Sequence, residues 1–169
     1  ERYQEARNVC DSLNINMTSY LNGISGQLKT TPYLVNSVMD FINELKPNGI
    51  LVPFINDLHS DHIESNLILT RALKKSKISL NEIKILNYEV WSFVPANVYY
   101  NIDKFSKKKS NELIKYKTAM QVVNYKRDCI ERSMYHGICR NGFISQIEAF
   151  YCISGTTYLD LMEKHYPDV

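Results

Sequence analysis

A short apolar run between two helical patterns constrains the fold of this chain most. The letters "GILVPF", residues 49–54, follow the amphipathic segment "PYLVNSVMDFINELKP" and precede a second helical pattern over about residues 61–75. A continuous apolar run of this length between helices is typical of a strand buried on both faces of a parallel sheet. We therefore predict such a strand at residues 49–54.

The helix before this strand has clear start and stop signals. Pro32 suits the first turn of a helix, because its missing N–H would have no helical partner there, and Pro47 cannot continue the helix. Apolar residues recur every three or four positions between the two prolines. The face expected to point inward carries Leu34, Val38, Phe41, Ile42 and Leu45.

Helical and strand patterns alternate along the rest of the chain. An amphipathic helix is predicted over residues 2–13, with a turn or short hairpin around Gly23 and Gly26. This alternation predicts an α/β domain with a mostly parallel sheet. Strands are further predicted at "EIKILNYEVW", "NVYYNID" and "SQIEAFYCI", helical structure over residues 104–136 in one long or two shorter pieces, and a closing helix at "TYLDLMEKHY".

Composition narrows the classes of function. With 169 residues, 44% apolar and 22% charged, the chain fits one globular domain over residues 1–169. A net charge of +2 is too small to indicate a nucleic-acid partner, and the lysine run at residues 107–109 is expected to be a solvated helix face.

Cysteine usage and hydropathy point to a cytoplasmic protein. The four cysteines are scattered without a C-x-x-C pair, which favours reduced side chains over thiolate metal ligands, although an even count leaves disulfides open. No apolar run approaches the ~18 residues of a membrane-spanning helix. The chain opens directly in a helical pattern, so we expect an upstream segment on the same chain or on another one.

The segment "INDLHSDH" follows the predicted strand and leads into the next helix. In open parallel sheets, ligands bind at the carboxyl ends of strands, which is where His59, Asp61 and His62 would lie. Residues three apart are neighbours around a helix start, so both imidazoles can face one crevice. Neutral imidazole is the commonest zinc donor, and a carboxylate beside it can fix its tautomer.

A structural alternative explains the same residues without a metal. Asp57 or Asp61 could cap the helix by accepting a hydrogen bond from a free main-chain N–H, and the histidines could be exposed polar residues. A catalytic zinc usually has three protein ligands and one open position. The H-x-x-H spacing alone leaves both interpretations open.

The stretch "LVPFINDLHSDHIESNLILTRAL" resembles the second motif of the PIG-L/LmbE-like deacetylases, a buried strand followed by D-x-H-x-D-H and a helix. Three more stretches agree with that family in order and spacing, and together they cover nearly the whole chain. Departures are Asn14 for a glycine, His136 for an arginine and Ile147 for an alanine. The three stretches are "ERYQEARNVCDSLNI", "YEVWSFVPANVYYNID" and "YHGICRNGFISQIEAF".

The resemblance implies a Rossmann-like three-layer α/β/α sandwich and a zinc-dependent hydrolase that removes the acetyl group from N-acetylglucosaminyl-type conjugates. It implies that His62 ligates zinc and that His59 lies beside the scissile amide as a protonated acid or oxyanion donor. Asp61 would orient or polarise an imidazole, and Asn97 would contact the substrate.

The family's first motif, H-P-D-D, is absent from this chain. In the family it follows the first strand and supplies two further zinc ligands and the general base. The resemblance therefore implies a domain truncated at its N-terminus, whose first strand and missing donors come from an upstream segment or a second chain. The fragment alone is expected to be inactive. A non-catalytic carbohydrate-binding or scaffold module with the same fold is the alternative, and a homo-oligomer stays possible.

The sequence does not assign a single role to three further residues. Trp91 is expected in the core at a strand end, with stacking against a sugar ring as the functional alternative. Glu89 alternates with apolar residues along a predicted strand and is either a surface carboxylate or a neighbour of the site. Glu148 matches a glutamate of the resembled family, but the sequence gives it no chemical role.

Overall fold

The computed structural model describes residues 1–16 and 19–168, which contain seven helices and four strands. Within these residues, no helix combines the length and apolar character needed to cross a bilayer. The helices are α1 (Arg2–Leu13), α2 (Pro32–Leu45), α3 (Ser60–Lys75), α4 (Ser106–Leu113), α5 (Lys117–Met120), α6 (Tyr125–Asn141) and α7 (Gly155–His165), and the strands are β1 (Gly49–Pro53), β2 (Lys84–Tyr88), β3 (Val98–Asn101) and β4 (Ile147–Ser154).

The chain folds as two compact units. The first comprises Glu1–Tyr20 and Tyr99–Glu148, and the second comprises Leu21–Val98 and Ala149–Val169. Every residue predicted to form the site, apart from Glu148, belongs to the second unit. A single domain over residues 1–169 stays a prediction.

The four strands form one mixed sheet in the order β1-β2-β4-β3. Strand β1 runs parallel to β2, whereas β4 runs antiparallel to β2. The predicted α/β class is confirmed, and the architecture agrees with a Rossmann-like α/β/α fold. The sheet is mixed rather than mostly parallel because β4 enters from the opposite end of β2.

Helix α2 confirms the predicted start and stop signals. The Thr31 side chain accepts a hydrogen bond from the N–H of Leu34, and Pro32 occupies the first turn. The helix ends at Leu45, and the C-cap residue Lys46 is left-handed with φ of 44°. Leu45 is 57% exposed, so its predicted inward position is wrong. It is the last helical residue before the chain turns away at Lys46.

Strand β1 is only partly buried, which corrects the prediction of burial on both faces. Val52 is 5% exposed, but Leu51 is 62% exposed. Consecutive side chains of a strand point to opposite faces, and β1 lies at the edge of the described sheet. Helix α3 packs on β1, so one face is covered while Leu51 on the other face stays open.

The predicted helical region over residues 104–136 consists of three helices rather than one or two. Helices α4 and α5 are separated near Tyr116, and α6 begins after Asn124, whose side chain caps it by accepting from Arg127 N–H. Asn favours the N-cap position because its short side chain satisfies a free N–H there. The break before α6 is therefore a new helix start, at Asn124, within a sequence whose helical pattern is continuous.

A buried polar cluster joins the end of β1 to α3 and α7. The side-chain amide of Asn66 donates to the carbonyl oxygens of Pro53, at 3.1 Å, and of His62, at 2.8 Å. The hydroxyl of Tyr158 donates to Asn66 Oδ1 at 2.8 Å, and both residues are fully buried. Buried polar groups are costly unless hydrogen-bonded, so this cluster fixes the first turns of α3 relative to β1.

Candidate functional site

His59 caps helix α3 with its imidazole. Its Nδ1 accepts the main-chain N–H of Asp61 at 3.2 Å, and its backbone is extended as expected at an N-cap. An Nδ1 that accepts a hydrogen bond carries no proton, so the ring proton in this geometry is on Nε2. The role that the resemblance implied for His59, a protonated acid or oxyanion donor, stays a prediction.

Asp57 lies at the centre of the site, immediately beyond β1. It is 2% exposed and accepts hydrogen bonds from the N–H groups of His59, at 3.0 Å, and Trp91, at 2.9 Å. Its Oδ1 also lies 2.9 Å from Nδ1 of His62. The carboxylate thus ties the loop after β1 to the loop after β2 and to the first turn of α3.

The surroundings of Asp57 keep it ionised. Burial acts to raise the pKa of this carboxyl, but the hydrogen bonds from the N–H groups of His59 and Trp91 and from His62 favour the charged form. Its pKa therefore lies below the ordinary value of 3.8. An ionised carboxylate can only accept, so His62 carries a proton on Nδ1, and in its neutral form the lone pair is on Nε2.

The imidazole of His62 is held at one nitrogen and partly exposed. Its side chain is 20% exposed, while its Nδ1 is bonded to the fully buried carboxylate of Asp57. Carboxylates in this position fix the tautomer and orientation of zinc-bound imidazoles. The ring of His59 lies beside it, with centroids 4.8 Å apart. The structure therefore brings the two predicted histidines together.

Asp61 holds a loop rather than an imidazole. Its carboxylate accepts from the N–H groups of Gly26, at 2.6 Å, and Leu28, at 3.1 Å. One turn later, Glu64 accepts from the N–H of Thr30 at 2.6 Å. Successive helical residues are turned by about 100°, so Asp61 and His62 point in different directions from the helix axis. The orienting role predicted for Asp61 is thus filled by Asp57.

Trp91 lies at the site and not in the core. Its ring stacks on that of His59 with centroids 6.4 Å apart and planes inclined by 10°, and the residue is 43% exposed. The core position predicted for Trp91 is wrong because β2 ends at Tyr88, before this residue. The exposed part of the Trp91 ring is a flat aromatic surface beside His59, of the kind on which another ring can stack.

Two other candidates make local contacts. The side-chain amide of Asn97 donates to the carbonyl oxygen of Cys152 at 2.8 Å and accepts the Cys152 N–H at 2.7 Å. Both ends of the Asn97 amide thus bind the main chain of β4, and its contact with substrate stays a prediction. Glu89 accepts the N–H of Val94 at 2.9 Å and closes the loop after β2.

The part of the chain that the structure describes does not bring together enough donors for a catalytic metal ion. Among residues 1–16 and 19–168, no three histidine, cysteine, aspartate or glutamate side chains come together in an arrangement able to hold a metal ion. Glu148 lies in the first unit, where its carboxylate binds Lys109 at 2.6 Å. The donor set fits one zinc ligand, His62, where a catalytic zinc needs three.

Sequence reasoning missed two residues of this arrangement. Asp57 was considered only as a helix cap, although it is the first acid of the D-x-H-x-D-H pattern and stands two residues before His59. An aspartate two residues before an N–H donor often binds that N–H, which was a usable signal. Asn66 gave no such signal, because its partner Tyr158 is 92 residues away.

No protein-family model and no curated protein sequence matches the chain. Solved structures do resemble it. The conserved protein TT1542 from Thermus thermophilus is 15% identical, with 90% of this chain and 71% of that chain covered and a TM-score of 0.72. The N,N'-diacetylchitobiose deacetylase from Pyrococcus horikoshii, complexed with its inhibitor MPG, is 14% identical, with 92% and 64% covered and a TM-score of 0.73.

A third similar structure is GalB, the 4-carboxy-2-hydroxymuconate hydratase from Pseudomonas putida. It is 13% identical, with 89% of this chain and 70% of that chain covered and a TM-score of 0.65. At these identities the likeness shows a shared fold, and a deacetylase and a hydratase both use it. The chain spans less than two thirds of the deacetylase's length.

Proposed function

We propose that this chain is the histidine-bearing half of a zinc-dependent N-deacetylase site that acts on an N-acetylglucosaminyl-type conjugate. The observation that carries the proposal is the pairing of buried, ionised Asp57 with Nδ1 of His62 at 2.9 Å. This pairing holds the Nδ1 proton of His62, so the neutral imidazole carries its lone pair on Nε2, the nitrogen that would bind zinc. The fold shared with a chitobiose deacetylase supports the proposal.

His62 would hold the metal. A bound zinc ion supplies Lewis acidity, which polarises an acetyl carbonyl and lowers the pKa of a bound water toward ~7. Asp57 keeps the ring of His62 in the correct tautomer and orientation. Asp57 is also hydrogen-bonded to the main chain at His59 and Trp91. The loops after β1 and β2 therefore both fix the direction in which Nε2 of His62 points.

His59 would stabilise the oxygen of the scissile amide. With Nδ1 used as the helix cap, its Nε2–H is the free donor of the ring. A donor placed before reaction at the position where negative charge develops lowers the barrier, and removing one such donor typically costs ~10²–10³-fold in turnover. Asp61 has a part in this proposal only as the anchor of the loop at residues 26–28.

The remaining donors would come from a segment that carries H-P-D-D, upstream on the same protein or on a second chain. Strand β1 lies at the edge of the described sheet, with Leu51 62% exposed beside that edge. A parallel strand added there would end next to the loop that contains Asp57 and His59. Its following residues would then lie close to Nε2 of His62.

A non-catalytic carbohydrate-binding or scaffold module is the second candidate function. It is favoured by the single zinc ligand among the described residues and by the exposed ring of Trp91, which would bind a sugar without chemistry. In this case a complete chain would bind amino sugars but would hold no tightly bound zinc.

The deciding experiment compares residues 1–169 with the longest reading frame that contains them. We expect residues 1–169 alone to bind zinc weakly and to release no acetate from N-acetylglucosamine conjugates, and the longer protein to do both if it carries H-P-D-D. A longer protein with His62→Ala is the matched control. Binding of amino sugars without zinc or turnover in the longer protein would support the scaffold function instead.

A further inference from the structure

We propose that Leu58, Trp91 and Phe93 form an apolar rim that binds an uncharged, apolar aglycone of the amino-sugar conjugate. The proposal rests on the proposed function and adds a substrate class to it. The three residues are 85%, 43% and 57% exposed, respectively. Large exposed apolar side chains on loops that border a polar site are a usual sign of ligand contact.

The topology of the sheet brings these residues to the same edge. Leu58 lies in the loop after β1, and Trp91 and Phe93 lie in the loop after β2. Because β1 and β2 are parallel neighbours, both loops leave from the carboxyl ends of their strands. The rim and the histidines therefore belong to one surface of the second unit.

Hydrogen bonds hold the two loops against each other. The N–H of Trp91 donates to Asp57 at 2.9 Å, and the hydroxyl of Ser92 donates to the carbonyl oxygen of Asn56 at 3.3 Å. The carboxylate of Glu89 closes the second loop internally. A surface that is ordered before binding loses little conformational entropy when a ligand arrives, which favours affinity.

The rim is continuous with the reacting centre. The ring of Trp91 stacks on His59, the residue proposed to contact the scissile amide. A sugar placed with its N-acetyl group at His59 therefore meets Trp91 next. The group attached to that sugar would extend over the remaining rim, formed by Leu58 and Phe93.

The charged residues of the two loops favour an apolar aglycone over a phosphate or a nucleotide. The two loops read "FINDLH" and "EVWSFV", with two carboxylates, Asp57 and Glu89, and no lysine or arginine. Phosphate recognition normally uses arginine, lysine or several free main-chain N–H groups. The N–H groups of Trp91 and Val94 are already bonded to carboxylates. An alkyl or aryl group fits this surface, whereas an anion does not.

Trp91 makes the test direct because it is the only tryptophan of the chain. Residues 1–169 are titrated with the methyl and hexyl β-glycosides of N-acetylglucosamine and with UDP-N-acetylglucosamine, and the fluorescence of Trp91 is followed. The hexyl glycoside is expected to bind about tenfold more tightly than the methyl glycoside, since each buried methylene adds to affinity. The nucleotide sugar is expected to bind no more tightly than the methyl glycoside.

Two variants keep the fluorescent reporter and remove the rim. Leu58→Ser and Phe93→Ser are expected to reduce the tenfold preference for the hexyl glycoside and to leave binding of the methyl glycoside unchanged. Leu45→Ser is the matched control, because Leu45 is as exposed as Phe93, at 57%, but lies at the end of α2 before β1 begins. Circular dichroism confirms that each variant is folded.

The results of these titrations distinguish a failure of the rim proposal from a failure of the proposed function. Equal binding of the methyl and hexyl glycosides, tightest binding of the nucleotide sugar, or an equal effect of Leu45→Ser would overturn the rim alone. Failure of every glycoside to bind to residues 1–169 would overturn the rim, whereas the amino-sugar function is decided by acetate release from the longer protein.

Discussion

Nδ1 of His62 lies 2.9 Å from Oδ1 of Asp57, and this pair fixes which nitrogen of His62 faces the site. Because Asp57 is buried and ionised, it accepts a hydrogen bond from Nδ1–H, so the neutral form of His62 has its lone pair on Nε2. The accessible donor therefore depends on a carboxylate that has no direct contact with solvent.

Asp57→Asn should disturb both the tautomer of His62 and the stability of the second unit. The amide keeps one acceptor oxygen, but its NH₂ group then faces a main-chain N–H or the ring of His62. We expect a loss of about 1–3 kcal/mol in the free energy of unfolding. Urea unfolding measures that loss, and ¹⁵N NMR of the imidazole measures the tautomer. Unchanged stability together with an unchanged tautomer would contradict the role of Asp57.

The lowered pKa of Asp57 predicts a loss of stability in acid. Its folded pKa lies below the ordinary value of 3.8, so its contribution is present above that value and is lost as the pH falls through the folded pKa. The free energy of unfolding should therefore fall more steeply below about pH 4 in the wild-type protein than in Asp57→Asn. Parallel pH profiles in urea titrations would show that Asp57 is not the group responsible.

Asp61→Asn should weaken the attachment of the loop at residues 26–28 to α3. It should not change the surroundings of the His59 and His62 imidazoles. The carboxylate of Asp61 accepts from Gly26 and Leu28, and a hydrogen bond to a charged group contributes about 1.5–3 kcal/mol. Hydrogen exchange at these two amides should accelerate by about tenfold or more. The NMR signals of His59 and His62 provide the control and should stay in place. Shifted histidine signals with unchanged exchange would return the orienting role to Asp61.

Tyr158→Phe should destabilise the buried cluster behind the site. The change removes the hydroxyl that donates to Asn66 Oδ1 and leaves a buried acceptor without that partner. Burial raises the pKa of Tyr158, so its hydroxyl is a donor at all ordinary pH values. The expected loss is about 1–3 kcal/mol in urea unfolding. Tyr33→Phe, at a residue 67% exposed, is the matched control and should have almost no effect.

Local sequence signals predicted the elements of the fold well. Helix α2 starts at Pro32 and ends just before the predicted stop at Pro47, and β1 is the apolar run that follows. Burial was predicted less well, because it depends on neighbours that the pattern does not reveal. Leu51 belongs to an apolar run but lies on an edge strand, and its exposure follows from the strand order.

The position of the histidines followed from the sequence, but their partners did not. His59 and His62 were predicted at a helix start after a strand, and they lie there. Asp57 and Asp61 stand on either side of His59, and spacing alone does not tell which one contacts an imidazole. The direction in which α3 leaves β1 decides which of the two carboxylates contacts the ring of His62. Buried Asn66 and Tyr158 set that direction through hydrogen bonds between residues far apart in sequence.

Zinc affinity tests the central claim, that His62 is the metal ligand of this chain and His59 is not. Residues 1–169 are compared with His62→Ala and His59→Asn, and binding is measured by competition with a chelator. Asparagine can still cap α3, so His59→Asn removes the imidazole and keeps a capping side chain. We predict weak zinc binding in the wild type, the same affinity in His59→Asn, and none in His62→Ala. Equal loss in both variants, or full retention in His62→Ala, would contradict this assignment.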